Sequence, residues 1–264
     1  MNGQGKLLTH FLKNADKLVI PVYQRNYDWK EEHCKKLYSD LVKTVREGKR
    51  WHFFGGIVSV SDPMGSSSDY LVIDGQQRIT TVSLLLLAIA NLVKAGIVTP
   101  KDPNLYDVIT KKYLVDEINP KQRKMKLKPI KGDQDSYDRL WGDPSEYNQS
   151  SRITQNYLYF YNQIQRDDIS VDQLFSAVEK LQIIDITLTP PDDDPQLVFE
   201  SLNSTGLDLN EGDKIRNFVL MRRSMEEQEQ FYDDYWSPIE KNAGYDKQTN
   251  SYDVSPFIRD YLGI

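Results

Sequence analysis

The stretch Tyr70-Leu71-Val72-Ile73-Asp74-Gly75-Gln76-Gln77-Arg78-Ile79-Thr80-Thr81 runs from an apolar segment through a polar turn into a second apolar segment. Tyr70 to Asp74 reads as a buried strand and Gly75 as the turn. Gln77 to Ala95 reads as a helix, apolar nearly all round, as expected for the centre of a domain. A structural turn needs only the glycine. Here an acid, two amides, an arginine and two hydroxyls crowd a helix entrance. The first N–H groups of a helix lack backbone partners and the helix dipole is positive there, so phosphates bind readily. The spacing is not that of a Walker P-loop. Asp74 can orient water, magnesium or a ribose hydroxyl, and Gly75 lets a ligand approach the backbone. Gln76 and Gln77 can donate to phosphate oxygens or position water. Arg78 can fork onto phosphate, and Thr80 and Thr81 add hydroxyls. The plainer reading is a β-to-α turn with an Asp74–Arg78 ion pair.

Upstream, Leu18 to Val22 is a short apolar strand whose Pro21 marks an edge or an end. It delivers Tyr23, Gln24 and Arg25 to a loop followed by Tyr27 and Trp29. Arg25 is a candidate second clamp, and Tyr23 or Tyr27 a candidate base-stacking ring. A surface loop pinned by aromatic packing is the alternative. Downstream, Val198 to Asn217 holds Asn203, Gly206, Asp213, Arg216 and Asn217. Gly206 suits a helix C-terminus, and Asn210 with Asp213 suits the next N-terminus. Asn203, Asp213, Arg216 and Asn217 exceed what capping needs and could face a ligand.

Residues 121–131 carry six basic groups and no acid. Lys124, Lys126 and Lys128 fall on one face of a strand, which suits a DNA backbone track or an edge strand guarded against aggregation. The net charge of −6 argues against coating nucleic acid by bulk attraction. The one cysteine, Cys34, excludes an intrachain disulfide. His10, His33 and His52 show no metal-ligand spacing. No signal-peptide pattern opens the chain, and the apolar stretch Val82 to Val93 is short of a bilayer span. A cytoplasmic protein without a membrane partner is expected.

The remaining pattern predicts helices over 6–14, 31–47, 133–141, 151–166, 171–181, 195–202, 210–229 and from 254 onward. Strands are expected at 53–60, 124–127 and 183–188, with 106–114 open between helix and strand. The 53–60 strand pairs with 70–74 as a hairpin. The fold class is α+β: a small mixed β-sheet early, then a mostly helical half.

Taken together and in this order, these motifs resemble the GmrSD-type restriction family, specifically its GmrS-like N-terminal domain with a ParB/sulfiredoxin-like nucleotidase core. Ile20-Pro21-Val22-Tyr23-Gln24-Arg25 with Tyr27 and Trp29 is similar to its first motif, and Phe54-Gly55 to its second. Asp74-Gly75-Gln76-Gln77-Arg78 with Thr80-Thr81 is similar to its signature. Phe199-Glu200, Asn203, Gly206, Leu209 and Asp213 to Asn217 are similar to a later one. Trp236 and Phe257 to Leu262 also fit. The resemblance implies a nucleotide-binding core over 1–132. Residues 133–264 are then a helical half that contributes the 183–188 strand and the Asn203–Asn217 motif.

It further implies binding and hydrolysis of a nucleoside triphosphate with Mg2+, in defence against phage or foreign DNA. Partners would be DNA, possibly modified, and a nuclease domain or subunit, with a homo-oligomer also open. Relatives often carry a C-terminal HNH nuclease domain. No histidine follows His52, so that domain is expected to be absent from this chain. In the expected mechanism Arg25 and Arg78 clamp the triphosphate, Gln76 and Gln77 position oxygens or water, and Asp74 holds water or magnesium. Asn203, Asp213 and Arg216 close the site. The rival expectation is a nucleotide-gated, ParB-like DNA-binding or modified-DNA-sensing module without significant turnover.

Overall fold

The computed structural model describes residues 2–61, 69–116, 124–166, 169–203, 211–221, 223, 225–246, 251–252 and 254–263. Its strands are β1 (Asn2–Leu7), β2 (Lys17–Val19), β3 (His52–Ser61), β4 (Asp69–Asp74), β5 (Val115–Asp116), β6 (Lys124–Met125), β7 (Leu127–Lys128), β8 (Leu181–Leu188), β9 (Tyr245–Asp246) and β10 (Ser251–Tyr252). Its helices are α1 (Leu8–Asn14), α2 (Glu31–Arg46), α3 (Gln76–Lys94), α4 (Leu105–Ile109), α5 (Lys131–Arg139) and α6 (Arg152–Arg166). They continue as α7 (Val171–Val178), α8 (Pro195–Asn203), α9 (Glu211–Leu220), α10 (Met225–Phe231), α11 (Ser237–Ala243) and α12 (Val254–Leu262). Wider π-helical turns cover Thr110–Leu114 and Tyr232–Trp236. The α+β class is therefore observed.

Six strands form one mixed sheet in the order β1-β8-β3-β4-β2-β7. β2 runs parallel to both β4 and β7, while β3 runs antiparallel to β4. β8 lies between β1 and β3, so the N-terminal sheet is completed from far along the chain. Alternation along the strands sorts side chains onto two faces. Ile57, Val72 and Ile183 enter the main core with α1, α2, α3, α6 and α7. Val58, Val60, Ile73 and Leu188 meet Phe199 of α8 in a second cluster. Leu84 to Ala90 of α3 are all 0% exposed. That helix is long and apolar enough to cross a membrane, yet most of it is buried inside the fold. It is the core rod that its all-round apolar pattern implies.

Three elements depart from the expected pattern. Asn2–Leu7 forms a strand although Gly3 and Gly5 give it no apolar alternation; its backbone pairs with β8, and Lys6 forms an ion pair with Asp185. The single helix expected over 210–229 is two, α9 and α10. No glycine or proline marks the break, where the Leu220 carbonyl accepts from Arg223 N–H in a turn. The 124–127 strand is the pair β6 and β7, divided at Lys126.

Candidate functional site

The carboxyl ends of β2, β4 and β7 share one edge of the sheet, because the three run in the same direction. From that edge the chain enters the 20–30 loop, α3 and, through Pro129 and Ile130, α5. Ligands of open sheets bind outside the carboxyl ends of parallel strands.

Gly75 is the hinge of this edge. Its φ is 95°, and an added Cβ would lie 3.0 Å from Ile57 Cγ1 and 3.1 Å from the Gly56 carbonyl oxygen. Gly55 is equally constrained, since its Cβ would fall 2.7 Å from Arg78 Nε. The bare backbone of Gly55 is thus the bed on which Arg78 lies. Arg78 Nη1 donates to the Gly56 carbonyl at 2.9 Å and lies 3.4 Å from Asp74 Oδ2. The Arg78 and Asp74 side chains are 31% and 38% exposed. Arg78 Nε and Nη2 make no hydrogen bond among the described residues. Gln76 opens α3, is 8% exposed, and its amide likewise bonds to nothing described. Gly75 supplies no capping side chain, so the first turn of α3 is uncapped.

The 20–30 loop is strapped to this turn. Gln24 Nε2 donates to the Ile73 carbonyl at 2.7 Å. Gln77 Oε1 accepts from the N–H groups of Asp28 and Trp29 at 3.0 and 3.1 Å, and its Nε2 donates to the Asn26 carbonyl at 3.2 Å. The Tyr27 and Thr81 hydroxyls lie 2.7 Å apart, and Asn156 Nδ2 donates to Tyr27 at 2.9 Å.

These bonds correct several expectations. Gln24, Gln77 and Thr81 spend their polar groups on the scaffold, and Thr80 is buried at 2% exposure. They do not reach out to phosphate. Tyr23 is buried edge-on against Phe199, and burial pushes its phenol, like that of Tyr27, well above the usual tyrosine range. Neither ring is open for a base. Arg25 is different. It stands between Gln24 and Asn26, both tethered to the Ile73–Gln77 turn, and makes no hydrogen bond or ion pair among the described residues. Arg78 anchors on the β3 side of β4, whereas Arg25 leaves the β2 side. The cleft that Arg25 lines includes none of Asp74 to Arg78.

Arg25 faces a cleft of about 690 Å³. The N-terminal turns of α5, α6 and α9 line it, with the Tyr232–Trp236 turn and α11 opposite. Arg216 and Asp213 belong to its wall as structure, not as a closing hand on a ligand. Arg216 Nε donates to the Tyr23 carbonyl at 3.0 Å, Nη1 to Glu240 Oε1 at 3.0 Å and Nη2 to Asp213 Oδ1 at 2.7 Å. Glu240 also accepts from Trp236 Nε1 and the Tyr232 hydroxyl. This buried network docks the C-terminal helices on Tyr23. Glu240 has no motif around it; its spacing of four from Trp236 is the signal that could have marked it.

Asp133 was also missed. It sits in the first turn of α5, 7% exposed, with Oδ2 accepting from Tyr27 N–H at 2.6 Å. Burial, assisted by the Asp28 charge, pushes its carboxyl up to about 7 against the lowering effect of that hydrogen bond. Gly132 beside it has no room for a Cβ, which would lie 2.7 Å from Asn26 Oδ1. The 25–28 loop thus rests flush on the start of α5.

The lysine track is not assembled. Lys126 is buried, and its ammonium donates to the carbonyls of Leu12, Lys13 and Lys112 at 3.0–3.2 Å. It caps the end of α1, because a buried ammonium needs several acceptors. Lys128 pairs with Glu229 at 2.7 Å. The side chains of Lys124 and Asn203, and the residues Gly206 and Leu209, lie outside the described residues. Among the described residues, no three carboxylates, imidazoles or thiols gather as a metal site. Asp74 fits Mg2+ only as a single partly exposed carboxylate, with phosphate oxygens and water completing the shell.

A polar turn at the carboxyl ends of parallel strands, leading from a mixed sheet into an uncapped buried helix, defines an α+β domain as the class. Residues 8–220 match the family described as the GmrSD restriction endonuclease, N-terminal domain, and the chain belongs to that family. The protein is accordingly a component of a restriction, phage-defence system. No functionally curated protein matches the sequence.

Proposed function

We propose that this chain is the nucleoside-triphosphate-binding and hydrolysing domain of its restriction system. The observation that carries the reading is the Gly75 turn. Arg78 lies beside it with Nε and Nη2 unspent, Gln76 opens the uncapped α3, and Arg25 sits on the loop strapped to the turn. A phosphate oxygen at the helix start would give the Gln76 amide a partner. Phosphoryl transfer needs chiefly position and charge stabilisation, which two arginines and a helix start supply. Asp74 would hold Mg2+, which when bound neutralises phosphate charge. Kinship of the core with ParB and sulfiredoxin belongs to the same reading. So do a cytoplasmic setting, a nuclease domain or subunit as partner, and DNA, possibly modified, as the sensed molecule.

One observation favours a second reading. Gln77, the residue expected to position water, is fully committed to the loop. A nucleotide-gated module that binds without turnover would use the same grip. The test is equilibrium binding of each nucleoside triphosphate with Mg2+, alongside phosphate release with and without DNA. Arg78→Ala and Arg25→Ala should each weaken binding at least tenfold while the thermal melt is preserved. Binding without release selects the gated module. Undiminished binding in both variants removes the site.

A further inference from the structure

We propose that the cleft beside Arg25 seats the phosphates of a DNA strand, at a site separate from the Gly75 turn. The proposal rests on the reading that DNA is the sensed molecule, and it gives that molecule a place. Lys126 and Lys128 are spent on backbone carbonyls and on Glu229, so they do not hold it. With a net charge of −6, the chain needs a local basic groove to hold a polyanion.

Three cations from separate elements line the cleft without a carboxylate partner among the described residues. They are Arg25 of the 20–30 loop, Arg152 at the start of α6 and Lys241 of α11. The other cations of the lining are neutralised, Lys131 by Asp233 and Arg216 by Asp213 and Glu240. Arg152 decides the class of ligand. It is the first residue of α6, whose first turn holds no acid. A cation there stands against the positive end of the helix dipole. Its bond among the described residues is to the neutral Gln155 Oε1, at 3.3 Å. An anion in the cleft would offset both the side chain and the helix end. Ser136 of α5, 3% exposed, lines the same cleft. Its hydroxyl accepts from Asn148 Nδ2 at 3.1 Å, and its own proton meets no acceptor among the described residues.

Asp28 and Asp133 are the opposing acids of the lining, and each feels the other's charge. Burial pushes Asp133 up to about 7, which removes part of that opposition at neutral pH. The phosphates are therefore assigned chiefly to Arg152 and Lys241. Charges supplied by separate elements around an opening of about 690 Å³ suit successive phosphates of a strand. Arg25 sits on the loop strapped to the Gly75 turn and serves the nucleotide reading as well, so the decisive variants are at Arg152 and Lys241.

The experiment uses the full chain with a fluorescein-labelled single-stranded oligonucleotide and with its duplex, read by anisotropy from about 50 to 200 mM salt. Backbone contacts do not depend on sequence, so plain DNA serves as the probe. Arg152→Gln and Lys241→Gln should each weaken binding of one or both probes about three- to tenfold at the lowest salt. Each should also reduce the slope of log affinity against log salt by about 0.7–0.9. Asp28→Asn, which removes an acid from the cleft, should strengthen binding about two- to threefold. A change of sign with the sign of the charge removed is not what damage to the fold would give. Binding of ATP with Mg2+ should be unchanged in both glutamine variants. Wild-type affinity and slope in both of them overturn the cleft and leave DNA as the sensed molecule. A matching loss of ATP binding in them makes the cleft a nucleotide site and overturns the assignment to DNA. A wild-type protein that binds neither probe at the lowest salt overturns the DNA reading itself.

Discussion

Single residues at the Gly75 turn are fixed by space as much as by chemistry. Gly75→Ala must place a Cβ against Ile57 in a left-handed backbone. The strain should cost about 1–3 kcal/mol, read as a lower denaturant midpoint at unchanged slope. Asp133 carries a pH signature. Burial raises its folded carboxyl to about 7, well above the ordinary aspartate range. Its contribution to stability is therefore complete below the unfolded value and is lost as pH rises through about 7. On the order of 4 kcal/mol is at stake. Denaturation of wild type and Asp133→Asn from about pH 4 to 8 should show a pH-dependent loss in wild type that the variant lacks. The signature residues were legible in the sequence, but the division of labour among them was not. Gln76 and Gln77 are identical side chains one position apart, and 100° of helical rotation puts only Gln77 under the loop, where it makes three bonds.

Elements were readable where one face or one period dominates. The central helix α3, the hairpin of β3 and β4 and the amphipathic α2 follow directly from apolar spacing. β1 was hidden because its stability is backbone pairing with a distant strand, which leaves no side-chain period to read. The lysine run misled for a related reason. Alternating charges suggested one exposed face, whereas the chain divides at Lys126 and turns its ammonium onto the end of α1. The 20–30 loop behaves as an element without regular structure, strapped by Gln77. Gln77→Ala removes its three bonds to Asn26, Asp28 and Trp29. About 2–3 kcal/mol should be lost, and limited proteolysis should cut the loop while α3 stays protected from hydrogen exchange. Protection of the loop equal to wild type would show that its packing alone suffices.

At the scale of the whole molecule, the cleft exists because the C-terminal helices are held against the sheet edge by charge inside and by ion pairs outside. Lys128–Glu229 and Lys131–Asp233 are half exposed and worth about 1 kcal/mol or less each. Arg216 is the buried tie. Arg216→Ala leaves the buried Glu240 and Asp213 without their cation and should cost roughly 3–5 kcal/mol, with faster hydrogen exchange across 211–243 and a smaller change in α3. Neither Arg216 nor Glu240 could be assigned this task from sequence, since their meeting depends on how α9 and α11 dock. The place of β8 has a consequence for synthesis on the ribosome. The strand that joins β1 to β3 is not made until residue 188. At about 5–20 residues per second, the first strand waits roughly ten seconds or longer for its neighbour, with an unpaired edge open to chaperones. A nascent chain arrested before residue 181 should stay protease-sensitive throughout its length, and one arrested well beyond the strand should not.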